Sequence, residues 1–465
     1  AGLRSGPGGG GGGGDAPPPY RDARRPVETR VEDLLARMTL EEKVAQLQGL
    51  WLKKYLVQDV DGEFDPVNAA KHFPHGLGQL SRPGDRVGKQ GPDAPPQAAG
   101  AVARAVNRNA TEAARYANAA QRWAVEQTRL GIPLLFHEEA LHGFVGRDAT
   151  SFPQAIALAS TWDPALVERV YAVAAREMRA RGPQLALAPV LDIARDPRWG
   201  RSEETYGEDP HLAAEIGLAA IRGLQGETLP LARDKVFVTL KHLAGHGQPE
   251  SGMNVGPAHI GERTLRETVL RPFERAVRTL PIRSVMASYN EIDGVPSHVN
   301  RWLLHDVLRG EWGYDGAVVS DYFALRELQT VHAMSDDADE MALRALEAGV
   351  DVELPDIDVY TRLPELVRSG RVPASRIDDA VRRVLRMKFE AGLFERPYVD
   401  VAAAEKATAT RSARVLAREA AARAMVLLKN ADGTLPLDPA RKGRLLVVGT
   451  HARDTPIGEI GRALV

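Results

Sequence analysis

Short apolar runs that alternate with helical stretches are the feature that most limits how this chain can fold. Six runs have the length and composition of buried strands: 132–136, 185–193, 236–240, 284–288, 317–319 and 350–354. Between most of them lie alanine-, leucine- and arginine-rich stretches with helical periodicity, such as 164–181 and 262–278. Strands that are apolar on both faces are typical of a parallel sheet covered by helices. The alternation therefore predicts an α/β fold, either closed into a β/α barrel or open and doubly wound.

Changes in composition along the chain predict four segments. Residues 1–19 contain an unbroken glycine tract and three successive prolines, a composition typical of flexible tails and linkers. The main α/β unit should occupy 20–398, because its last amphipathic helix ends at a glycine that is soon followed by a proline. An alanine-rich link over 399–412 then leads to a second unit over 413–465.

Short sequence motifs predict individual helices and strands near the start of the main unit and in the second unit. Thr39 and Glu42 have the spacing of a capping box, which predicts a helix start at Leu40. In the second unit we expect a helix over 413–429 and a strand over 444–449. One helix and one strand cannot bury a core of their own, so we interpret this unit as the truncated start of a larger domain.

Charge and cysteine content exclude several classes of function. Lys and Arg total 60 against 62 Asp and Glu, so the net charge of −2 gives no reason to expect a nucleic acid or an anionic membrane as partner. No apolar run reaches the ~18 residues of a membrane span. The chain has no cysteine, which excludes disulfides, thiolate metal sites and cysteine nucleophiles. A periplasmic or secreted protein fits that absence, although the chain starts at Ala1 without an export segment and a cytoplasmic location stays open.

Polar residues lie in or just after five of the predicted strands. In chain order they are Glu138-Glu139, Asp192, Lys241-His242, Tyr289-Asn290 and Asp321. The carboxyl ends of parallel strands meet on one face of a barrel, where active sites are built, so these side chains should converge. Asp321 has a simpler alternative, because it could cap a helix over 322–330. The convergence of five polar clusters favours a functional role.

Other polar motifs have structural interpretations. His137 and His142 are five residues apart, about 140° around a helix, so they do not match a zinc-protease motif. His246 lies between two glycines, which is typical of a turn. The arginines and aspartates of 192–201 could be an ion-pair network that fastens loops. Within that stretch, however, Arg198 next to Trp199 offers a hydroxyl-binding fork and an apolar platform, a combination that suits a sugar.

These residues lie in motifs that resemble glycoside hydrolase family 3, from about Thr39 to the end of the chain. The matching runs are 191–201 with Glu204, 207–210, 241–247, Met286, 289–290, 294–296, 312–313 and 319–322. The resemblance implies a (β/α)8 TIM-type barrel followed by an α/β sandwich domain. It also implies a retaining hydrolase that acts on β-linked glucosyl or xylosyl units at the non-reducing end of oligosaccharides. No metal or other cofactor is expected.

The resemblance also assigns roles to individual residues. Asp321 stands at the position of the nucleophile. Arg198, Lys241 and His242 stand at positions that bind sugar hydroxyls, and their charge should keep the pKa of Asp321 low. The other expected substrate contacts are Asp192, Met286, Tyr289 and Tyr322, together with Glu139.

Two departures from the family pattern affect the expected activity. Glu139 stands where many members have an aspartate, and its extra methylene would enter the space of a hexose C6 group, so glucose and xylose are close competitors. A retaining enzyme also needs an acid/base carboxyl, which in most members comes from the second domain. The loop after the Gly-His-Gly turn reads Gly252-Met253-Asn254, without the Asp-Ser-His loop of the β-N-acetylglucosaminidase branch. We therefore expect the acid/base to be absent from this chain.

Two other functions remain as alternatives. The chain could be a catalytically weak, sugar-binding form. Lys241 could instead form a Schiff base, as in barrel aldolases, although that activity would leave the Asp321 and Arg198 motifs unexplained. The aglycone, the linkage and the oligomeric state are left open.

Overall fold

The computed structural model describes residues 17–86 and 107–438, together with residues 440, 444, 446 and 448. The glycine tract lies outside the described residues. So does about half of the predicted strand over 444–449.

A curled parallel sheet forms the centre of the fold. Its strands are β1 (Gln79–Ser81), β2 (Leu135–Glu138), β3 (Leu185–Ala186), β4 (Phe237–Leu243), β5 (Ser284–Ala287) and β8 (Ala317–Val319), paired in that order. A short antiparallel hairpin, β6 (Glu291–Ile292) and β7 (Val295–Pro296), lies outside the sheet. All pairings within the main sheet are parallel, for example Val285 of β5 with Val318 of β8. The α/β class predicted from the alternation is therefore confirmed.

Isolated bridges continue the sheet beyond both of its edge strands. Val352 pairs in parallel with Val319 of β8, and Glu353 pairs with Gln48. The carbonyl of Gln48 accepts a hydrogen bond from the backbone N–H of Gln79 in β1, at 3.1 Å. The segments around residues 48 and 352 thus connect one edge of the curled sheet to the other.

Helices cover the outer face of the sheet. In chain order the α-helices are α1 (Val27–Arg37), α2 (Leu40–Ala45), α3 (Pro66–His72), α4 (Ala110–Gln127), α5 (Ala155–Ala159), α6 (Pro164–Arg181), α7 (Pro210–Leu224), α8 (Glu262–Thr264), α9 (Arg271–Thr279), α10 (Ala324–Thr330), α11 (Ala338–Ala348), α12 (Leu363–Arg368), α13 (Ala374–Glu390), α14 (Val401–Ala407) and α15 (Arg411–Arg423). Two π-helical segments, Leu265–Val269 and Trp302–Glu311, interrupt this pattern. The helices α6 and α7 both begin with an Asp side chain that accepts a backbone N–H and a Pro at the start, which is a strong start signal.

Several local predictions are confirmed and several are corrected. The capping box at Thr39 is present, with both of its hydrogen bonds. The helix predicted over 262–278 is divided into α8, a π segment and α9, where Pro272 lacks the N–H that a continuous helix would need. The helix predicted over 413–429 is α15, which ends at Arg423. Helix α14 lies within the segment predicted to be a link.

Helix α15 packs on the α/β unit. Leu416 and Ala420 of α15 belong to the same apolar cluster as the buried sides of α6 and α7. Arg169 of α6 forms an ion pair with Glu419 of α15 at 2.9 Å. The division into domains at residue 399 stays a prediction. In the described part of the chain, no helix has both the length and the apolarity that crossing a membrane requires.

Candidate active site

Asp321 lies two residues beyond the end of β8 and is buried. Its Oδ1 accepts the backbone N–H of Tyr322 at 2.7 Å, and its own backbone N–H donates to Nε2 of His298 at 3.0 Å. Its Oδ2 has no hydrogen-bond partner among the described residues and lies 3.6 Å from Nε2 of His242. One carboxylate oxygen is therefore held in place, while the other is buried without a hydrogen bond from the described residues.

The helix-cap interpretation of Asp321 is wrong. The following helix, α10, begins after Phe323, and no side chain caps its first turn. Asp321 Oδ1 accepts only the N–H of the adjacent residue, which lies outside the helix. The carboxylate thus does not satisfy the free N–H groups at the helix start, which is the task of a cap.

The pKa of Asp321 differs from the expectation. Burial raises it to about 6, although the charges of Arg201 and Lys241 act in the opposite direction. The sequence-based prediction of a low pKa was therefore wrong, because the cost of removing a carboxylate from water exceeds the attraction of the nearby cations. Asp321 is largely ionised at pH 7 and largely protonated below pH 5.

His242 is oriented by two neighbours. Its Nδ1–H donates to Oδ2 of Asp192 at 2.7 Å, and its backbone N–H donates to the same oxygen at 3.0 Å. Arg201 donates from Nη2 to His242 Nε2 at 3.1 Å. Burial, followed by the Arg201 charge, lowers the pKa of His242 well below its usual value. The ring is therefore neutral and is fixed in one tautomer, with Nε2 near Asp321.

Arg201, rather than Arg198, is the arginine in this cluster. Arg201 is buried and forms two hydrogen bonds with Glu204, each 2.9 Å long. Its guanidinium also lies 5.5 Å from the ring of Trp199. Arg198 points to solvent, with 69% of its side chain exposed, and pairs with Asp196. The sequence pointed to Arg198 beside Trp199 as the sugar-binding fork, but the buried arginine near the Trp199 ring is Arg201.

Glu139 and Lys241 form a buried ion pair at 2.9 Å. Glu139 follows β2 directly, and Lys241 lies near the end of β4, so two separate strand ends contribute to the pair. Lys241 also lowers the pKa of Asp321 by its charge, which places it in the same site. Breaking the pair would be necessary before Lys241 could attack a carbonyl group.

Aromatic and apolar side chains complete the site. Tyr289 donates its hydroxyl to the backbone oxygen of Tyr322 at 2.9 Å. The Tyr322 ring lies 5.2 Å from the ring of Trp51, and its hydroxyl is 2.8 Å from Nε2 of His137. Met286 is buried in β5, one strand away from Asp321. Of the residues expected from sequence, only Arg198 is not brought to this site.

Four residues near the site were not identified from sequence. They are Trp51, Arg82, His298 and Glu327. Each of them lies next to a residue that the sequence had pointed to. Arg82 directly follows β1, so the rule of polar residues at strand ends would have found it if Gln79–Ser81 had been recognised as a strand. Its buried Nε has no hydrogen-bond partner among the described residues, and its guanidinium lies 5.0 Å from the Trp51 ring. Burial and the charge of Asp321 raise the pKa of Glu327 to about 7.

One group of side chains has the geometry of a metal site. Asp192, His242 and His246 each offer a ligand atom, and these atoms lie within 4.8 Å of one another. Both ring nitrogens of His242 are already hydrogen-bonded, one to Asp192 and the other to the cationic Arg201. A positive ion here would have to displace or face a guanidinium, so the arrangement suits hydrogen bonding better than metal binding.

Comparison with known families gives a match over most of the chain. The model of the glycosyl hydrolase family 3 N terminal domain matches residues 39–387. A putative β-xylosidase from Formosa agariphila is 34% identical over 437 residues, which is 94% of this chain and 55% of that protein. The periplasmic β-glucosidase of Salmonella typhimurium is 36% identical over 330 residues, 70% of this chain and 42% of that protein.

A solved structure agrees with the sequence comparisons. A β-glucosidase from Erythrobacter marinus is 37% identical and superposes with a TM-score of 0.81, over 90% of this chain and 52% of that one. The chain thus spans about half the length of the proteins that it matches.

Proposed function

Because the chain belongs to glycoside hydrolase family 3, we propose that it removes terminal β-D-glucosyl or β-D-xylosyl residues from the non-reducing end of oligosaccharides, with retention of configuration. The observation that carries this proposal is the state of Asp321. One of its oxygens is held by a backbone N–H, the other is buried and unpaired, and two cations act on it. A carboxylate in this state suits attack on an anomeric carbon.

The reaction would take place in two displacements at Asp321. In the first, an electron pair of Oδ2 forms a bond to the anomeric carbon while the bond from that carbon to the leaving oxygen breaks. The leaving oxygen takes a proton from a general acid. In the second, water loses a proton to the same group and attacks the anomeric carbon, which releases the sugar and restores the carboxylate. The positive charge that develops on the sugar ring is stabilised by the adjacent carboxylate.

The general acid/base is proposed to come from outside the described α/β unit, as the resemblance to the family implies. Without it, ~10²–10⁴-fold of the rate is lost for poor leaving groups. Aryl glycosides with acidic phenols need little protonation and should lose much less. Glu327 is one alternative among the described carboxyls, because burial and the charge of Asp321 raise its pKa to about 7, at which it could donate a proton.

We propose that the sugar is bound by the side chains around Asp321. Arg201, Lys241 and His242 offer hydrogen bonds to ring hydroxyls, and Tyr322 with Trp51 offers an apolar surface to a sugar face. Glu139 would contact the hydroxyls farthest from Asp321, where its length sets the room for a C6 group. Arg201 takes the role that the sequence resemblance assigned to Arg198.

The wider architecture supports the same proposal. We infer that the six-stranded sheet and the bridged segments at residues 48 and 352 form a closed (β/α)8 barrel, with Asp321 at its carboxyl face. Residues from 413 onward would then begin an α/β sandwich domain. We also propose an extracytoplasmic location, which fits the absence of cysteine and the periplasmic relative.

A mechanism-based label tests the proposed nucleophile. Incubation with 2-deoxy-2-fluoro-β-glucosyl fluoride or the xylosyl analogue should trap a glycosyl ester, because fluorine slows its hydrolysis. Peptide mapping should find the added mass on Asp321, and the sugar that reacts faster identifies the preferred substrate. A label on another residue would contradict the assignment of the nucleophile. Sugar binding measured by calorimetry, without labelling or turnover of aryl glycosides, would support the sugar-binding alternative.

The pH dependence of kcat/KM tests the state of Asp321. The nucleophile must be ionised, and its pKa is raised to about 6. We expect kcat/KM for an aryl glycoside to fall tenfold per pH unit below about pH 6, where protonated Asp321 predominates. An acid limb near pH 4 would show that the nearby cations, rather than burial, control the carboxyl.

A further inference from the structure

A cavity lined by several arginines lies among residues that are not part of the Asp321 site. It has a volume of about 160 Å³ and is lined by Arg179, Arg233, Arg396, Gln184 and Tyr398, among others. Gln184 directly precedes β3, and Arg233 lies in the connection that leads into β4. The cavity is therefore at the amino ends of these strands, whereas Asp321 follows the carboxyl end of β8.

Arg179 is one of the residues that line this cavity. It is in the last turn of α6, and its Nη2 donates to the backbone oxygen of Ala391 at 2.9 Å. Its Nη1 is buried without a hydrogen-bond partner among the described residues. A buried guanidinium N–H without an acceptor is unfavourable, so a ligand that supplies one would be stabilised there.

Positive charge predominates around Arg179, although the carboxylate of Glu126 accepts the hydroxyl of Tyr398 at 2.8 Å. Within the described part of the chain, none of Arg179, Arg233 and Arg396 forms an ion pair with an Asp or Glu. Burial, followed by the charge of Arg396, lowers the pKa of Arg179 to about 10. Arg233 and Arg396 are exposed, whereas Arg179 is partly buried. Other buried or partly buried arginines, such as Arg201 and Arg283, have a carboxylate partner. Three arginines without an ion-pair partner among the described residues leave positive charge that a bound anion would neutralise.

We infer that the cavity formed by Arg179, Arg233 and Arg396 is a binding site for a phosphate-type oxyanion. Guanidinium groups bind such anions through paired N–H donors, and three of them can surround a tetrahedral group. The cavity volume of about 160 Å³ is enough for one tetrahedral anion. The source of the group could be inorganic phosphate or the phosphate of a small ester, since the same three arginines would hold either. The site is separate from the proposed glycosidase site.

Binding of phosphate to the purified protein tests this inference. Thermal unfolding is followed while sodium phosphate or glycerol phosphate is added, with sodium chloride at matched ionic strength as the reference. We expect a saturable increase in Tm with both phosphates and none with chloride. Tighter binding of the ester would identify a phosphate ester as the source, and tighter binding of the free ion would identify inorganic phosphate.

Three variants show whether phosphate binds at the cavity or is attracted by positive charge in general. Arg179→Gln and Arg396→Gln should weaken phosphate binding at least tenfold. Arg396 is exposed, so its replacement should not affect folding. Arg176→Gln removes the same charge from an exposed position one turn earlier in α6 and should bind phosphate as the wild type does. Equal weakening in all three variants, or no difference between phosphate and chloride, would overturn the inference. Activity on aryl glycosides should be the same in all of them.

Discussion

Replacing Asp321 by asparagine is expected to abolish turnover, with kcat for an aryl glycoside at least ~10⁴-fold below wild type. The amide can still accept the Tyr322 N–H through its oxygen, so the local geometry would be kept. It cannot form the glycosyl ester, however, because an amide is not an effective nucleophile. The loss should affect glucosides and xylosides alike, since both would need the same ester.

The stability of Asp321→Asn shows whether turnover is lost because the nucleophile is missing or because the protein unfolds. The pKa of Asp321 is about 6 in the folded protein against 3.8 ordinarily, so the folded state resists its ionisation. That penalty is absent below about pH 4, grows as the pH rises to 6 and is complete above it. At ~1.4 kcal/mol per tenfold change, it reaches on the order of 3 kcal/mol. Asparagine avoids it, so the Tm of Asp321→Asn at pH 7 should equal or exceed that of the wild type.

A second variant should gain a new reaction, which is easier to interpret than a loss of activity. Asp321→Gly with added azide should convert a dinitrophenyl β-glycoside into the α-glycosyl azide, because azide would attack from the face that the carboxylate leaves. Analysis of the product by NMR distinguishes the two anomers. A β-azide, or an Asp321→Asn variant with more than about a tenth of wild-type activity, would show that another group is the nucleophile.

The fold was predictable where strands are apolar on both faces. The runs over 284–288 and 317–319 match β5 and β8 to within a residue. By contrast, β1 consists of Gln79, Leu80 and Ser81, and a three-residue strand with two polar members gives no apolar run. The same limit affected the helices, because periodicity over 262–278 does not reveal the π turn between α8 and α9. Long-range pairing, rather than local composition, determines such elements.

The site was predictable in its residue types but not in its orientations. Positions at strand ends brought Glu139, His242 and Asp321 together, because the geometry of a parallel sheet imposes their convergence. Arg198 and Arg201 lie three residues apart in a loop with two short 3-10 turns, and spacing alone does not say which one faces inward. The pKa of Asp321 required burial to be known, since the number of neighbouring cations gave the wrong direction.

The two arginines of this loop give the second large effect that we expect. Replacing Arg201 by glutamine should lower kcat/KM by ~10²–10³-fold, the cost of removing one oriented donor from an active site. His242 would lose the donor to Nε2 that fixes its tautomer, and Asp321 would lose the strongest of the charges that lower its pKa. The acid limb of kcat/KM should therefore move above pH 6 in this variant. A defect in folding alone would not move that limb.

Glu204, the ion-pair partner of Arg201, and the neighbouring Arg198 provide the controls. Removing Arg201 leaves Glu204 buried without its ion pair, which costs ~3–5 kcal/mol of stability. The double variant Arg201→Gln with Glu204→Gln removes both charges, so it should recover much of the Tm while staying as inactive as the single variant. Arg198→Gln should keep kcat/KM within about twofold of wild type, because the exposed Arg198–Asp196 pair contributes little. If Arg198→Gln lost as much activity as Arg201→Gln, the sugar-binding role would belong to Arg198, and the loop would have to rearrange when substrate binds.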